Sequence, residues 1–269
     1  MTTNLYDFSI GSDTGGSVRI PASFCGLFGI RPTHNRISTD DVFPMAPSFD
    51  TIGWLANNIQ IFKKIGEVLL KNTDKSEANF NEFVIAEDLL ELADLDVQNA
   101  FKIFFKDKIT SIKKVRLSKF DKADIADNFR ILQGNEVKEN VIPWINQNKP
   151  YISPEINSRI EMASKITADE VKGANSFRAN LMNEIETALP EGLIALFPTA
   201  PFSAPICGQS DASLASYRKR LMELTSTAGM TSRPQISLPY LKVENKPVGI
   251  SLLGWKYSDE ILLNKITDI

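Results

Sequence analysis

The sequence predicts an α/β fold, a mixed twisted sheet covered by helices, on three observations. Short strand-like runs at residues 83–85, 114–117 and 193–197 are interleaved with segments of helical apolar spacing. Residues 236–243 and 248–253 flank the turn-like Glu244-Asn245-Lys246-Pro247 and read as a hairpin. Gly and Pro cut residues 7–54 into loops and short strands.

The elements follow in chain order. Ile59, Phe62, Ile65, Val68 and Leu69 share the mostly buried face of a helix over 59–70. Residues 72–81 are a largely polar linker, and 83–85 a strand. A helix over 94–108 places Val97, Phe101, Phe104 and Phe105 on one side. Its Lys102, Lys106 and Lys108 form a solvated face, since acids lie on both sides. A strand at 114–117 precedes a helical pattern over 122–147, expected to break near Pro143. Ser153-Pro154-Glu155 opens a helix with a serine cap and proline in the first turn. Thr167 to Glu170 fits a capping box that opens a helix towards Leu189. Residues 193–197, ended by Pro198, read as a buried strand. Leu214, Tyr217, Leu221 and Leu224 form one face of a helix ending near Gly229. Ser258 is expected to cap a last helix that the chain end cuts short.

Composition limits the function. The 269 residues are 43% hydrophobic and 23% charged, a globular balance. A net charge of −3 argues against nucleic acid as the main partner. No apolar run approaches membrane-spanning length, and residues 1–9 do not read as a secretory signal. Two cysteines, Cys25 and Cys207, suit a reducing cytoplasm, the expected location. Cys25 reads as a small buried residue. The single histidine, His34, excludes a histidine-rich metal site, and neither metal nor cofactor is expected. A Ser17–His34–Asp50 triad can be written, but Pro-Thr-His-Asn around His34 reads as a turn.

The chain is organised around Gly11-Ser12-Asp13-Thr14-Gly15-Gly16-Ser17-Val18-Arg19-Ile20-Pro21. Glycine is kept where the backbone turns tightly or approaches something closely. Gly15 and Gly16 leave bare N–H groups beside a serine. A hydroxyl nucleophile next to donors aimed at a developing oxyanion is the requirement of acyl transfer. A phosphate loop would need a Lys after the glycines, and the G-x-S-x-G elbow fails because Val18 and Arg19 follow Ser17.

Longer stretches resemble the amidase signature family, hydrolases with a Ser–cis-Ser–Lys triad. They are D-F-S-I-G-S-D-T-G-G-S-V-R-I-P-A-S-F-C-G-L-F-G-I-R-P-T-H (7–34) and A-P-S-F-D-T-I-G-W (46–54). Near the other end stand P-T-A-P (198–201), P-Q-I-S-L-P (234–239) and P-V-G-I-S-L-L-G (247–254). Residues 57–192 match only loosely, and in the family this helical middle helps line the acyl pocket. The resemblance implies Ser17 as the acyl-forming nucleophile. It implies the amides of Thr14, Gly15, Gly16 and Ser17 as the oxyanion hole, and Asp13 with Arg19 as a pair bracing the loop. R-P-T-H and S-F-D-T-I-G-W are worded most like the indole-acetamide hydrolase type, with Asn35 where that type has Gly.

In the family the Lys base and the relay serine lie N-terminal to the signature, so neither is expected within 1–269. The whole chain is then the C-terminal portion of one amidase signature domain. A serine hydroxyl is a weak nucleophile until something takes its proton. Without a base, serine hydrolases lose on the order of 10⁴–10⁶ in turnover. The implied activity is hydrolysis of a small carboxamide through an acyl-serine, with the isolated chain inactive. A catalytically silent fragment and an amidase-like binding scaffold are the alternatives. Beyond a small-molecule amide, the expected partner is a second copy or a complementing N-terminal fragment covering exposed strand edges.

Overall fold

The computed structural model describes residues 2–3, 5–70, 75–107 and 111–269. Lys108 of the expected basic face and residues 72–74 of the expected linker lie outside the described residues.

The sheet has eight strands among the described residues. These are β1 (Phe8–Ser12), β2 (Phe28–Arg31), β3 (Ile52–Ala56), β4 (Glu82–Ala86), β5 (Lys113–Val115), β6 (Leu193–Pro198), β7 (Gln235–Val243) and β8 (Lys246–Leu253). Their order is β1-β3-β2-β7-β8-β6-β4-β5. The contacts from β1 to β6 are antiparallel, while β6-β4 and β4-β5 are parallel. The sheet is therefore mixed, as the sequence predicts. The β7–β8 hairpin turns through Glu244 and Asn245, both at positive φ (49° and 63°), the requirement of a two-residue type I′ turn.

Helices cover both faces. One face packs Phe28, Ile30, Trp54, Ile85, Leu196, Ile236 and Ile250 against α2 (Ile59–Leu69), α4 (Leu95–Phe104) and α9 (Asp259–Lys265). The other packs Val84, Ala195 and Phe197 against α5 (Lys122–Asn148), α7 (Ala168–Ala188) and α8 (Asp211–Met230). Alternate residues of one strand serve opposite faces, which is why β6 reads as a continuous apolar run. The described residues also form α1 (Arg19–Cys25), α3 (Glu87–Leu90) and α6 (Pro154–Ser164).

Side chains cap the starts of α2, α6 and α7, the last two where the sequence places them. Asn58 accepts from Gln60 N and Ile61 N at α2. Ser153 accepts from Ile156 N at α6. Both halves of the Thr167/Glu170 capping box are formed at α7.

Five expectations are corrected. Residues 19–25 are helical, because the Asp13 carboxylate accepts the amides of Val18 and Arg19 and so caps a helix from outside its own turn. Cys25 is exposed, since α1 turns Arg19, Ala22 and Ser23 inward and its last residue outward. Helix α5 runs through Pro143. A proline loses its own hydrogen bond and crowds the preceding turn, which this helix tolerates, and α5 has little length left beyond it. Ser258 does not cap α9 with its side chain: its hydroxyl donates to Trp255 O at 2.7 Å, and the first turn carries Asp259 and Glu260 instead. Val68, expected on the mostly buried face of α2, is exposed, as is Phe104 from the apolar side of α4, Phe104 lying flat over Tyr240 with ring centroids 5.9 Å apart.

Candidate active site

The Gly11–Pro21 stretch leaves β1 at Ser12 and enters α1 at Arg19. The loop lies on the α5–α8 side of the sheet, against Phe129 of α5 and Met222 and Thr225 of α8. At its centre is the fully buried carboxylate of Asp13. Oδ1 accepts from Gly16 N (2.8 Å) and Arg19 Nη2 (2.8 Å), and Oδ2 from Val18 N (3.1 Å), Arg19 N (3.2 Å) and Arg19 Nε (3.0 Å). Arg31, also fully buried, lies 3.4 Å from Oδ1. Burial pushes the Asp13 carboxyl up, but the adjacent Arg19 and Arg31 guanidiniums outweigh it and hold the group well below the usual carboxylate range. Burial pushes Arg31 down to about 10, against the attraction of Asp13.

The carbonyls of the loop are pinned one after another. Asp13 O accepts from Arg31 Nη1 and from the Thr51 hydroxyl, the latter at 2.9 Å. Thr14 O accepts from Arg31 Nη1 at 3.1 Å, Gly15 O from the Thr225 hydroxyl at 2.7 Å, and Gly16 O from Ile20 N at 2.8 Å. In a trans peptide the N–H points away from the C=O, so fixing each carbonyl fixes the direction of the next residue's amide. The amides of Thr14, Gly15 and Ser17 meet no acceptor among the described residues. Gly16 differs from its neighbours. Its amide is taken by Asp13, and φ of +126° turns the chain there so that Ser17 follows on the outside. Ser17 is exposed, and its hydroxyl makes no hydrogen bond among the described residues.

The C-terminal motifs explain what holds Arg19. Its Nη1 donates to Thr225 O (2.9 Å) and to Gln235 Oε1. Gln235 Nε2 donates to Ser251 Oγ (2.6 Å), which meets Thr199 Oγ1 (2.9 Å), which reaches Ser237 Oγ (3.0 Å). Thr199, Gln235, Ser237 and Ser251 come from P-T-A-P, P-Q-I-S-L-P and P-V-G-I-S-L-L-G. These stretches thus form one buried polar chain ending on the loop. Sequence reasoning found the motifs but not this role, and it missed Arg31 and Thr225 altogether. The polar residues inside otherwise apolar strands were the available signal.

The Ser17–His34–Asp50 grouping is not assembled. His34 Nε2 bonds to Pro47 O at 2.7 Å, and burial, with Arg31 and Arg178 nearby, lowers its pKa. Asp50 accepts from the Thr14 hydroxyl and from Met45 N and Ala46 N. Among the described residues no cluster of His, Cys, Asp and Glu could hold a metal, and no helix is long and apolar enough to cross a membrane. A cavity of about 450 Å³ lined by Ser76, Phe80 and Ile261 shares no lining residue with the loop.

Gly16→Ala is expected to cost about 1–2 kcal/mol for the left-handed backbone alone. A Cβ there would also stand 2.7 Å from Ile20 Cδ1. The urea midpoint measures the loss.

The family model described as Amidase matches residues 2–97. Amidase 1 of Arabidopsis thaliana is 34% identical over 303 residues, an alignment covering 100% of this chain and 71% of that protein. The chloroplastic outer envelope protein 64 of the same organism is 28% identical over 298 residues, covering 99% of this chain and 50% of its own length. A crystal structure of an amidase superposes with a TM-score of 0.83 at 25% identity, covering 95% of this chain and 60% of that one. The chain belongs to the amidase signature family.

Proposed function

We propose that Ser17 accepts the acyl group in hydrolysis of a small carboxamide. The carrying observation is an exposed hydroxyl beside three amides, of Thr14, Gly15 and Ser17, that meet no acceptor among the described residues while their preceding carbonyls are pinned. Ser17 Oγ would attack the carbonyl carbon, and its proton would leave to a base. The negative charge on the former carbonyl oxygen would fall to the free amides, which need no reorganisation to receive it. Collapse would expel the amine with a proton, and water would then release the carboxylic acid and restore Ser17.

Nothing among the described residues is hydrogen-bonded to the Ser17 hydroxyl to take that proton. The resemblance to the amidase signature family assigns that role to a lysine and relay serine lying N-terminal to the signature, in the same polypeptide or a second one. On this reading residues 1–269 alone turn over amides on the order of 10⁴-fold or more below the completed enzyme. Exposed apolar side chains on and beside edge strand β1 (Leu5, Tyr6, Phe8 and Ile10) support a covering segment there. Amine release from small carboxamides, followed in the chain alone and in a version completed with an amidase N-terminal segment, tests the reading. Turnover is expected only in the completed form and should vanish in Ser17→Ala. Equal turnover by the Ser17→Ala variant would contradict it.

A further inference from the structure

We propose that Asp50 is a positioning residue for the amide-donor loop and acts through the Thr14 hydroxyl. The proposal rests on the reading of that loop as the oxyanion site. Thr14 Oγ1 donates to Asp50 Oδ1 at 2.5 Å, across 36 residues of sequence. The other carboxylate oxygen accepts from Met45 N (2.9 Å) and Ala46 N (2.8 Å), and Asp50 N donates to Ala46 O (2.8 Å). Both oxygens are therefore held, and the carboxylate has no free rotation about its own bond.

The residues on either side of Asp50 are held as firmly. Phe49 O accepts from Arg31 Nη2 at 2.7 Å, and the Phe49 ring packs on Phe129 with the Arg178 guanidinium 4.6 Å from its centre. Thr51 exchanges two hydrogen bonds with Asp13. Asp50 is thus fixed through its neighbours from β2, α5 and α7, and what it fixes in turn is the side chain of Thr14. Arg31 already holds the carbonyl of Thr14. Side chain and carbonyl together set the plane of the peptide joining Thr14 to Gly15, whose N–H is one of the three free donors.

The sign of the charge matters as well. A bare carboxylate near a developing oxyanion would oppose it. Here the charge meets three donors, and the nearby Arg31 guanidinium, which burial pushes down overall, feels its attraction as a small opposing effect. Asp50 can therefore orient the loop without presenting an open negative face to it.

A double-mutant cycle tests the assignment. The variants are Thr14→Val, Asp50→Ala and the pair. The readouts are the rate of fluorophosphonate labelling at Ser17, measured in the form of the protein that labels, and the amide ¹H–¹⁵N resonances of Gly15 and Ser17. Each single variant is expected to label about tenfold to a hundredfold more slowly, at similar reagent affinity, as expected for a misplaced donor. The double variant should be no slower than either single. The Gly15 and Ser17 resonances should move in the same direction in all three. Additive losses, or resonances unmoved in a folded Asp50→Ala protein, would overturn the proposal. If the parent takes no label, the amidase reading fails, and the resonances still decide this one. If Asp50→Ala does not fold, Thr14→Val decides alone, because it keeps the shape and removes only the hydroxyl. Unchanged resonances there would overturn the proposal.

Discussion

Asp13→Asn should lower the stability of the chain by roughly 3–5 kcal/mol, the usual cost of removing one partner from a buried ion cluster. The variant leaves Arg19 buried without its ion-pair partner and removes the nearest counter-charge of Arg31, and both are fully enclosed. It also takes the full-charge acceptor from the amides of Gly16, Val18 and Arg19, so the loop and the start of α1 loosen together. A domain of this size holds only about 5–15 kcal/mol in all. The effect depends on pH with a definite sign. Burial raises the carboxyl pKa, the two arginines together lower it by more, and the net shift is downward. A depressed carboxylate stabilises the fold fully above its unfolded pKa of about 4, and that share fades as pH falls below it. Urea midpoints of parent and variant should therefore differ most at pH 7 and draw together at pH 3. Equal midpoints at pH 7 would show that the ion cluster holds nothing.

Gly53→Ala should be the most damaging substitution in the sheet, at about 3 kcal/mol or more for overpacking against a fixed backbone. A Cβ at Gly53 would stand 2.1 Å from Ile30 O. That atom belongs to β2, which is ladder-bonded to β3 on one side and β7 on the other. No side chain can swing away to make room, so the strands must part. The loop would feel the same shift, because Thr51, two residues upstream, holds Asp13. Thermal melting of the purified variant measures it. A melt matching the parent would contradict the packing described.

Much of the architecture was legible because local chemistry and the tertiary fold agree. The Thr167/Glu170 box, the Ser153 cap, the β7–β8 turn and the β6 run all form as their residues dictate. Misreadings arose where distant groups decide. Helix α1 lacks a local cap signal, since the acceptor for its first amides is Asp13, at the far end of a glycine turn. Cys25 sits in an apolar stretch, yet the angular position of one helix residue decides its exposure. Ser258 has the right residue type for a cap but finds a nearer acceptor in Trp255 O. At the site, the pairing of Asp13 with Arg19 follows from their nearness in sequence. The reach of Arg31, Thr225 and Gln235 does not, because those contacts close over separations from 17 to 216 residues. Asp50 was legible as a polar residue of interest, but its partner is Thr14.

The most direct test of the central claim is the mass of Ser17 after exposure to an amidase-reactive fluorophosphonate, in the chain completed with an amidase N-terminal segment. A single adduct is expected, located on Ser17 and absent from Ser17→Ala. An adduct that persists in Ser17→Ala, or a folded, completed protein that takes none, would contradict it.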